Sequence, residues 1–461
     1  MHSPDDTIAA VSTPIGEGGI GIVRMTGPGA LAILRHLFRR AGPGSARSLQ
    51  PFRLYYGHVV DPANGDVVDE VLAVHMTAPR TYTRQDVVEI DAHGGIVAVQ
   101  RVLALCLAHG ARLAEPGEFT LRSFLNGRLD LAQAEAVVDV VRARTGQALQ
   151  TALGQLAGHL SGQLQPLRDR LLAALASIEA SIDFEDDVPG VERDIAADLA
   201  EATAGLEAIL AGADRGIIYR QGVRAAIVGR PNVGKSSLLN CLLRTSRAIV
   251  TDIPGTTRDT VEETLNVRGV PVILVDTAGI AEPGDPIERL GVERSRAALA
   301  QADLALVVLD ASEPPSEADL VIAALVGERP AIGVLNKIDL LPGGTPPAEL
   351  RPPGNGWPVV SVSALSGAGI DALEAAIVAS VLSGQVGASD VPLVSNPRHQ
   401  AALSRALGQV RAAQATCQAG LPADLVAVDL AAAVNTLGEI TGQTAGEELL
   451  DMIFSTFCIG K

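Results

Sequence analysis

Gly229-Arg-Pro-Asn-Val-Gly234-Lys235-Ser236 fits the pattern G-x-x-x-x-G-K-[ST], and that spacing suits the cradling of a polyphosphate. The glycines let backbone N–H groups turn inward around an anion, at a helix start that already favours negative charge. Lys235 is expected to reach the β/γ-phosphates, and the Ser236 hydroxyl to take one position on Mg²⁺. Asn232, Val233, Gly234, Lys235, Ser236 and Ser237 are the nucleotide-binding positions of this loop. The apolar run Val223 to Val228 before it reads as a buried strand, and Ser237-Leu-Leu-Asn-Cys-Leu-Leu after it has helical spacing.

Four further stretches follow in a fixed order. Thr251-Asp252-Ile253-Pro254-Gly255-Thr256-Thr257-Arg-Asp precedes expected strands near 264–268 and 270–275. Asp276-Thr277-Ala278-Gly279 then stands at a strand end, where the aspartate can hold the Mg²⁺ shell and the Gly279 amide can face a γ-phosphate. After a strand Leu304 to Leu309 comes Asn336-Lys337-Ile-Asp339. Its aspartate can accept both N1–H and the exocyclic amine of guanine, a pair that adenine does not offer. Ser363-Ala364-Leu365 closes the base pocket after a strand Val359 to Val362. Five such elements in this order identify a translation-factor-type GTPase, hydrolysing GTP to GDP and phosphate.

One position departs from the Ras-like pattern. The glutamine that orients attacking water there is replaced by Ile280, which cannot hydrogen-bond water. Neither Arg258 nor Arg289 is marked as an arginine finger, a device worth about 10³–10⁵ in rate. Intrinsic turnover is therefore expected to be slow.

The elements that position these loops sit in a chain of 461 residues, too long for one core, with 47% hydrophobic and 19% charged residues. Aromatics are scarce and alanine and leucine abundant, so much of the packing should be helical. A formal net charge of −17 argues against a broad electrostatic grip on nucleic acid. Cys106, Cys241, Cys417 and Cys458 lie far apart and form neither a disulfide framework nor a zinc pattern, which points to a reducing cytosol. No run approaches 18 apolar residues and the N-terminus lacks a signal pattern, so a cytoplasmic protein without a membrane span is expected.

Residues 1–126 read as mixed α+β. Gly16-Glu-Gly18-Gly19-Ile-Gly21 formally matches G-x-G-x-x-G, yet Ile20-Gly-Ile-Val-Arg24-Met reads as a second strand, so a hairpin of 7–13 with 20–25 is preferred over a dinucleotide site. Strands are expected at 54–60, 71–76 and 87–91, and a helix from about 95 to 109. Arg24, Glu89, His93 and Arg128 are its notable polar residues, but composition alone gives them no ligand.

Residues 127–220 should be all-α. Leu149, Leu153, Leu156, Leu160, Leu164, Leu167, Leu171, Leu175, Ile178 and Ile182 predict one stripe on one long helix, kinked or restarted at Pro166. Asp183 to Glu192 reads as a solvated acidic loop. The nucleotide domain spans 221–383. Beyond it, 397–415 and 424–440 are helix-like, with Leu425, Leu430, Val434 and Leu437 at core spacing, and Thr444-Ala-Gly-Glu447 predicts a capping box. The nucleotide domain is thus an insertion between two helical parts, 127–220 and 384–461. The terminal Cys458-Ile-Gly-Lys461 is a poor prenylation signal because Gly460 is not aliphatic.

Phe457-Cys458-Ile459-Gly460-Lys461, an inserted GTPase with Gly-Thr-Thr-Arg-Asp, and a Gly-rich hairpin ending at Arg24 together resemble the MnmE (TrmE) family over essentially the full length. The resemblance implies a multidomain α/β protein: an N-terminal α+β folate-binding and dimerisation domain, a central helical domain, and an inserted Ras-like P-loop GTPase domain. It implies that a homodimer works with the FAD-dependent partner MnmG to modify C5 of the wobble uridine of tRNA. The group installed is aminomethyl or carboxymethylaminomethyl, with a one-carbon unit from 5-formyl-tetrahydrofolate or a related derivative. Folate contacts map to Arg24, Glu89, Arg128 and Lys461, although Arg128 stands where the family has lysine. Cys458 maps to the tail cysteine near the folate. In place of an arginine finger the resemblance implies K⁺, held by Asn232, Thr251, Ile253 and Thr256, while Thr257 joins Ser236 on Mg²⁺. Glu288 matches the catalytic acid that positions water, and Ala281 replaces an expected arginine. The competing class is an RNA-binding regulatory or ribosome-assembly GTPase without modification activity; the acidic balance and the lack of a basic C-terminal domain weigh against it.

Overall fold

The structure is a computed structural model that describes residues 6–42, 49–183, 195–246, 263–275, 296–344, 356–382 and 393–460. Among these, contacts divide the chain into two compact units. One joins the described residues up to Val138 with those from Val434 onward, and the other takes those from Asp139 to Ala433.

The first unit begins with the hairpin expected from the glycine spacing. Strand β1 (Ile8–Val11) pairs antiparallel with β2 (Gly18–Thr26), with Ile8 opposite Thr26. No helix follows the glycine loop, so the dinucleotide reading is excluded on geometry. Helix α1 (Ala30–Leu37) and strands β3 (Phe38–Arg40), β4 (Leu54–Val60), β5 (Val67–Met76) and β6 (Val87–Gly94) come next. Helix α2 (Ile96–Ala108), strand β7 (Arg112–Leu113), and helices α3 (Glu118–Leu125) and α4 (Leu131–Arg142) complete this stretch. The seven strands form one sheet in the order β3-β4-β5-β6-β2-β1-β7. Alternate residues such as Val23, Met25, Val71, Ala73, Val88 and Ile90 are buried beneath α1 and α2, the period-2 pattern of a sheet with one covered face.

In the second unit, the long leucine stripe belongs to two helices. Helix α5 (Gly146–Leu156) and helix α6 (His159–Asp183) are separated at Gly158, whose φ of 83° is a left-handed helix stop. Pro166 lies inside α6 and starts nothing. Leu160, Leu164, Leu171 and Ile178 are buried as expected, but Leu149 and Leu153 on α5 are exposed because the stripe turns with the break, and Ile182 is exposed at the end of α6. The acidic 184–192 stretch lies outside the described residues.

Helices α7 (Ile195–Leu210) and α8 (Ala213–Gln221) lead to the nucleotide sheet. Its parts are β8 (Val223–Val228), α9 (Lys235–Ser246), β9 (Glu263–Val267), β10 (Val270–Val275), β11 (Leu304–Asp310), α10 (Glu317–Val326), β12 (Ala331–Asn336), β13 (Val359–Ser361) and α11 (Ile370–Val381). The order is β13-β12-β11-β8-β10-β9, with only β9 antiparallel to its neighbour. Strands β11 and β12 are buried at every residue because both faces are covered. Ile227, Leu306 and Val308 pack with α9 and α11 on one face, while Ala226, Val228 and Val307 pack with α10 on the other.

Helices α12 (Pro397–Gln418), α13 (Ala423–Thr441) and α14 (Glu447–Ser455) close the chain. Leu430, Val434 and Leu437 are buried, whereas Leu425 is exposed on the first turns of α13. The expected capping box is absent: Gly446 is the N-cap of α14, and the Thr444 hydroxyl donates instead to Asn435 O at 2.7 Å.

Candidate functional site

The phosphate loop is shaped by backbone positions that tolerate no side chain. Gly229 has φ 156°, and a Cβ there would lie 2.4 Å from Val308 O. Gly234 has φ 96°, and a Cβ would lie 2.3 Å from Asn336 Nδ2. Between them Asn232 takes the left-handed region at φ 65°. Lys235 bends back to donate to Gly229 O at 2.8 Å and Arg230 O at 2.9 Å. Burial pushes its pKa below the usual lysine value. Val233 is buried, and Ser236 and Ser237 lie in the first turn of α9.

The base loop is tied to that loop through one carboxamide. Asn336, at the buried end of β12, donates from Nδ2 to Val233 O at 2.9 Å and accepts at Oδ1 from Ala364 N at 3.0 Å. It therefore fixes the phosphate loop against Ser363-Ala364-Leu365. Asp339 accepts from the Ser363 hydroxyl at 2.5 Å and is itself exposed, with its carboxylate available to a base. Leu365 is 87% exposed. Lys337 stands in the left-handed region at φ 68°, with its ammonium 2.6 Å from Asp310 Oδ2. Asp310 has no motif of its own; its only signal in the sequence was an acid ending an apolar strand. Thr251, Asp252, Ile253, Pro254, Gly255, Thr256, Thr257, Asp276, Thr277, Ala278, Gly279, Ile280, Ala281, Glu288 and Lys461 lie outside the described residues.

A second cluster forms in the N-terminal unit. Arg24 on β2 faces Glu89 on β6 in register, Nε to Oε1 at 2.7 Å. Its guanidinium lies 6.0 Å from the Phe119 ring, and Nη1 donates to Gly460 O at 3.4 Å. Arg128 packs 4.7 Å from the Tyr82 ring and donates to Tyr82 O at 3.1 Å. Burial raises the Tyr82 phenol's pKa, against smaller opposing effects of the Thr120 hydrogen bond and the charges of Arg128 and Arg24. Tyr82, whose hydroxyl pairs with Thr120 Oγ1 at 2.9 Å, was not singled out from the sequence. His93 stays apart as an exposed pair with Asp69 at 2.7 Å, which raises its pKa.

The end of the chain is fastened beside this cluster. Gly117 N donates to Cys458 O at 3.3 Å, and the Ser12 hydroxyl donates to Gly460 O at 3.2 Å. Gly460 has φ 91°, and a Cβ would meet Val11 O at 2.4 Å. The Phe454 and Phe457 rings meet tilted, with centroids 5.2 Å apart, and Cys458 next to Phe457 is exposed.

With this geometry in place, relatives become informative. Residues 7–128 match the model of the GTP-binding protein TrmE N-terminus, and residues 131–458 match that of the MnmE helical domain. The tRNA modification GTPase MnmE of Chloroflexus aurantiacus is 53% identical over 99% of this chain and 100% of its own length. The chain belongs to the MnmE family. The MnmE proteins of Roseiflexus sp. and Geobacillus kaustophilus are 54% and 50% identical, each over 99% of both chains. The protein is accordingly a GTP hydrolase acting in tRNA modification. The G domain of the T. maritima FeoB iron transporter overlaps 34% of this chain and 98% of its own at 28% identity, with a TM-score of 0.26, too slight a likeness to bear on function. No helix among the described residues is long and apolar enough to cross a membrane.

Proposed function

We propose that this MnmE-family chain is a potassium-activated cytoplasmic GTPase. In this reading a homodimer acts with an FAD-dependent MnmG partner on C5 of the wobble uridine of tRNA. The observation that carries the GTP assignment is Asn336, which locks the phosphate loop to the Ser363 loop and leaves Asp339 open for a guanine edge. Asn232, Val233, Gly234, Lys235, Ser236 and Ser237 hold the phosphates, and Thr251 to Thr257 and Asp276 to Gly279 are the further proposed nucleotide-binding positions. Asn336, Lys337, Asp339, Ser363, Ala364 and Leu365 hold the base.

Ser236 with Thr257 is the proposed Mg²⁺ pair, and Asn232 with Thr251, Ile253 and Thr256 the proposed K⁺ set. Their hydroxyl, carboxamide and carbonyl oxygens are hard donors for hard cations. The left-handed backbone at Asn232 and the place of Ser236 beside Lys235 support that fit. Such cations, when bound, offset charge developing on the transferring phosphoryl group. Glu288 is assigned to positioning water, which Ile280 cannot do.

The proposed domain division is 1–126 for folate and dimerisation, 127–220 and 384–461 for the helical parts, and 221–383 for the nucleotide. Arg24, Glu89, Arg128 and Lys461 are the proposed contacts for a tetrahydrofolate derivative that supplies the one-carbon unit. The Arg24–Glu89 pair, the bond from Arg24 to Gly460 in the tail and the packing of Arg128 on Tyr82 support this, as does the exposed Cys458 in the same tail. Hydrolysis should be faster in potassium than in sodium by an order of magnitude or more, since a finger-type charge is worth about 10³ or more. Equal rates would refute the cation assignment. Nucleosides of tRNA from cells lacking the chain should lose the C5 modification, and an unchanged profile would refute the proposed chemistry.

A further inference from the structure

We infer that Asp310, at the end of β11, is a positioning residue for the guanine pocket: it pins the Lys337 ammonium so that the lysine stem stays stretched between the base loop and the phosphate loop. This inference rests on the base-pocket reading of Asn336 to Asp339.

The geometry begins with strand register. Asp310 pairs with Asn336 across β11 and β12, and Ala311 N donates to Asn336 O at 2.8 Å, so its carboxylate emerges one step from the base loop. One oxygen, Oδ2, takes Lys337 Nζ at 2.6 Å, while Oδ1 takes Ser312 N at 3.0 Å and Ser312 Oγ at 2.6 Å. Asp310 is 7% exposed, and a carboxylate so buried is costly unless each oxygen is partnered. Burial works against its ionised form, but Lys337 and Ser312 together hold its pKa below the ordinary value. The far end of the lysine is equally defined: a Cβ built on Gly234 would lie 4.0 Å from Lys337 Cε, so the stem runs alongside the phosphate loop.

The same short segment also holds the phosphate loop. Arg230 pairs with Glu313 at 2.5 Å, and its Nε lies 3.4 Å from Asp319 Oδ2. Asp319 in turn accepts from Ser316 N and Oγ in a capping box that starts α10. Residues 310–319 thereby grip one basic side chain from each loop. A free lysine would lose its rotamer freedom each time nucleotide bound; one anchored beforehand pays little of that cost.

The test is a double-mutant cycle on the full-length protein, reading GDP and GTP affinity with a fluorescent guanine nucleotide and hydrolysis at saturation. Asp310→Asn should raise Kd and KM about tenfold, the ordering cost of one long lysine, with kcat unchanged. Lys337→Met should weaken affinity, and Asp310→Asn added to it should cost nothing further. Ser312→Ala, which touches only Oδ1, should leave affinity within twofold. Should Asp310→Asn fail to fold by thermal melting, the cycle is run with Asp310→Glu, where a coupling of about threefold to Lys337 is expected. Additive losses, an unchanged KM, or a fall in kcat alone would overturn the proposal. Asp339→Ala separates it from the pocket reading: if that variant keeps its affinity for GTP, the pocket reading fails, whereas a loss there with additive Asp310 and Lys337 effects sinks only the positioning role.

Discussion

The nucleotide pocket and the N-terminal cluster are built on different principles. The pocket is largely backbone: loops at the ends of parallel strands, shaped by Gly229 and Gly234 and tied by one asparagine. The cluster is largely side chain, drawn from β2, β6, the turn after α3 and the last residues, with Arg24 reaching Gly460 across 436 positions of sequence. A site made of local turns must spell its residues consecutively. One made by a sheet and a returning terminus has no consecutive spelling at all.

The sharpest way to break this comparison is to strike one site and watch the other. Lys235→Ala removes a charge-assisted donor from the phosphate loop and should weaken GTP binding by on the order of a hundredfold, about 3 kcal/mol. The Gly117 amide, which reports tail docking through its bond to Cys458 O, should keep its hydrogen-exchange protection in that variant. A change in both readouts would mean that the two sites are not separable in the way their construction implies.

The converse strike is Gly460→Val. A side chain there combines positive φ with a 2.4 Å clash against Val11 O, a cost of about 2 kcal/mol. The tail should undock, and exchange at Gly117 should accelerate by roughly thirtyfold, while GTP affinity stays within twofold. Unchanged exchange would show that Ser12 and the Phe454–Phe457 pair hold the tail without the close backbone approach.

The same contrast explains what could be read from the sequence. Val223 to Val228 and Leu304 to Leu309 were legible because buried parallel strands are unbroken apolar runs, whereas β12 before Asn336 was not expected. The β1–β2 hairpin was legible because a strand, not a helix, followed its glycines. The break at Gly158 was missed because leucine spacing of threes and fours runs straight through a glycine stop, which periodicity does not register. Thr444 looked like a cap by spacing, but its hydroxyl found Asn435 O first. Tyr82 and Asp310 were invisible because each acts through a neighbour on another segment. Arg24, Glu89 and Arg128 stood out as polar residues, but a ligand for them was implied only by family resemblance; cross-strand register is what brings the first two together.

The smallest expected effect concerns acid. In the N-terminal unit Arg112 and Arg122 enclose Asp6 and Glu118: Arg112 Nε meets Asp6 Oδ2 at 2.8 Å, Arg112 Nη2 meets Glu118 Oε1 at 2.7 Å, and Arg122 Nη2 meets the same oxygen at 2.9 Å. Burial opposes ionisation of both carboxyls, yet the two arginines, with the Glu115 amide on Glu118, hold both pKa values below their ordinary range. A depressed carboxyl contributes stability that is complete above its unfolded pKa, near 4, and is lost as pH falls through the lower folded value. Between pH 7 and 5 the contribution should therefore be constant, and below about pH 4 the unit should lose on the order of 1 kcal/mol per carboxyl, less for Asp6, whose side chain is about one-third exposed and screened. Glu118→Gln should lower stability at pH 7 and flatten the acid limb, read by hydrogen exchange across β1 and α3. Trp357, the single tryptophan of the chain, packs half-buried against the Ala226–Val228–Val307 cluster of the nucleotide sheet and reports the other unit by fluorescence. Its transition should be unmoved by Glu118→Gln at any pH; a shift would show that the two units unfold as one and that their separation is confined to how their sites are built.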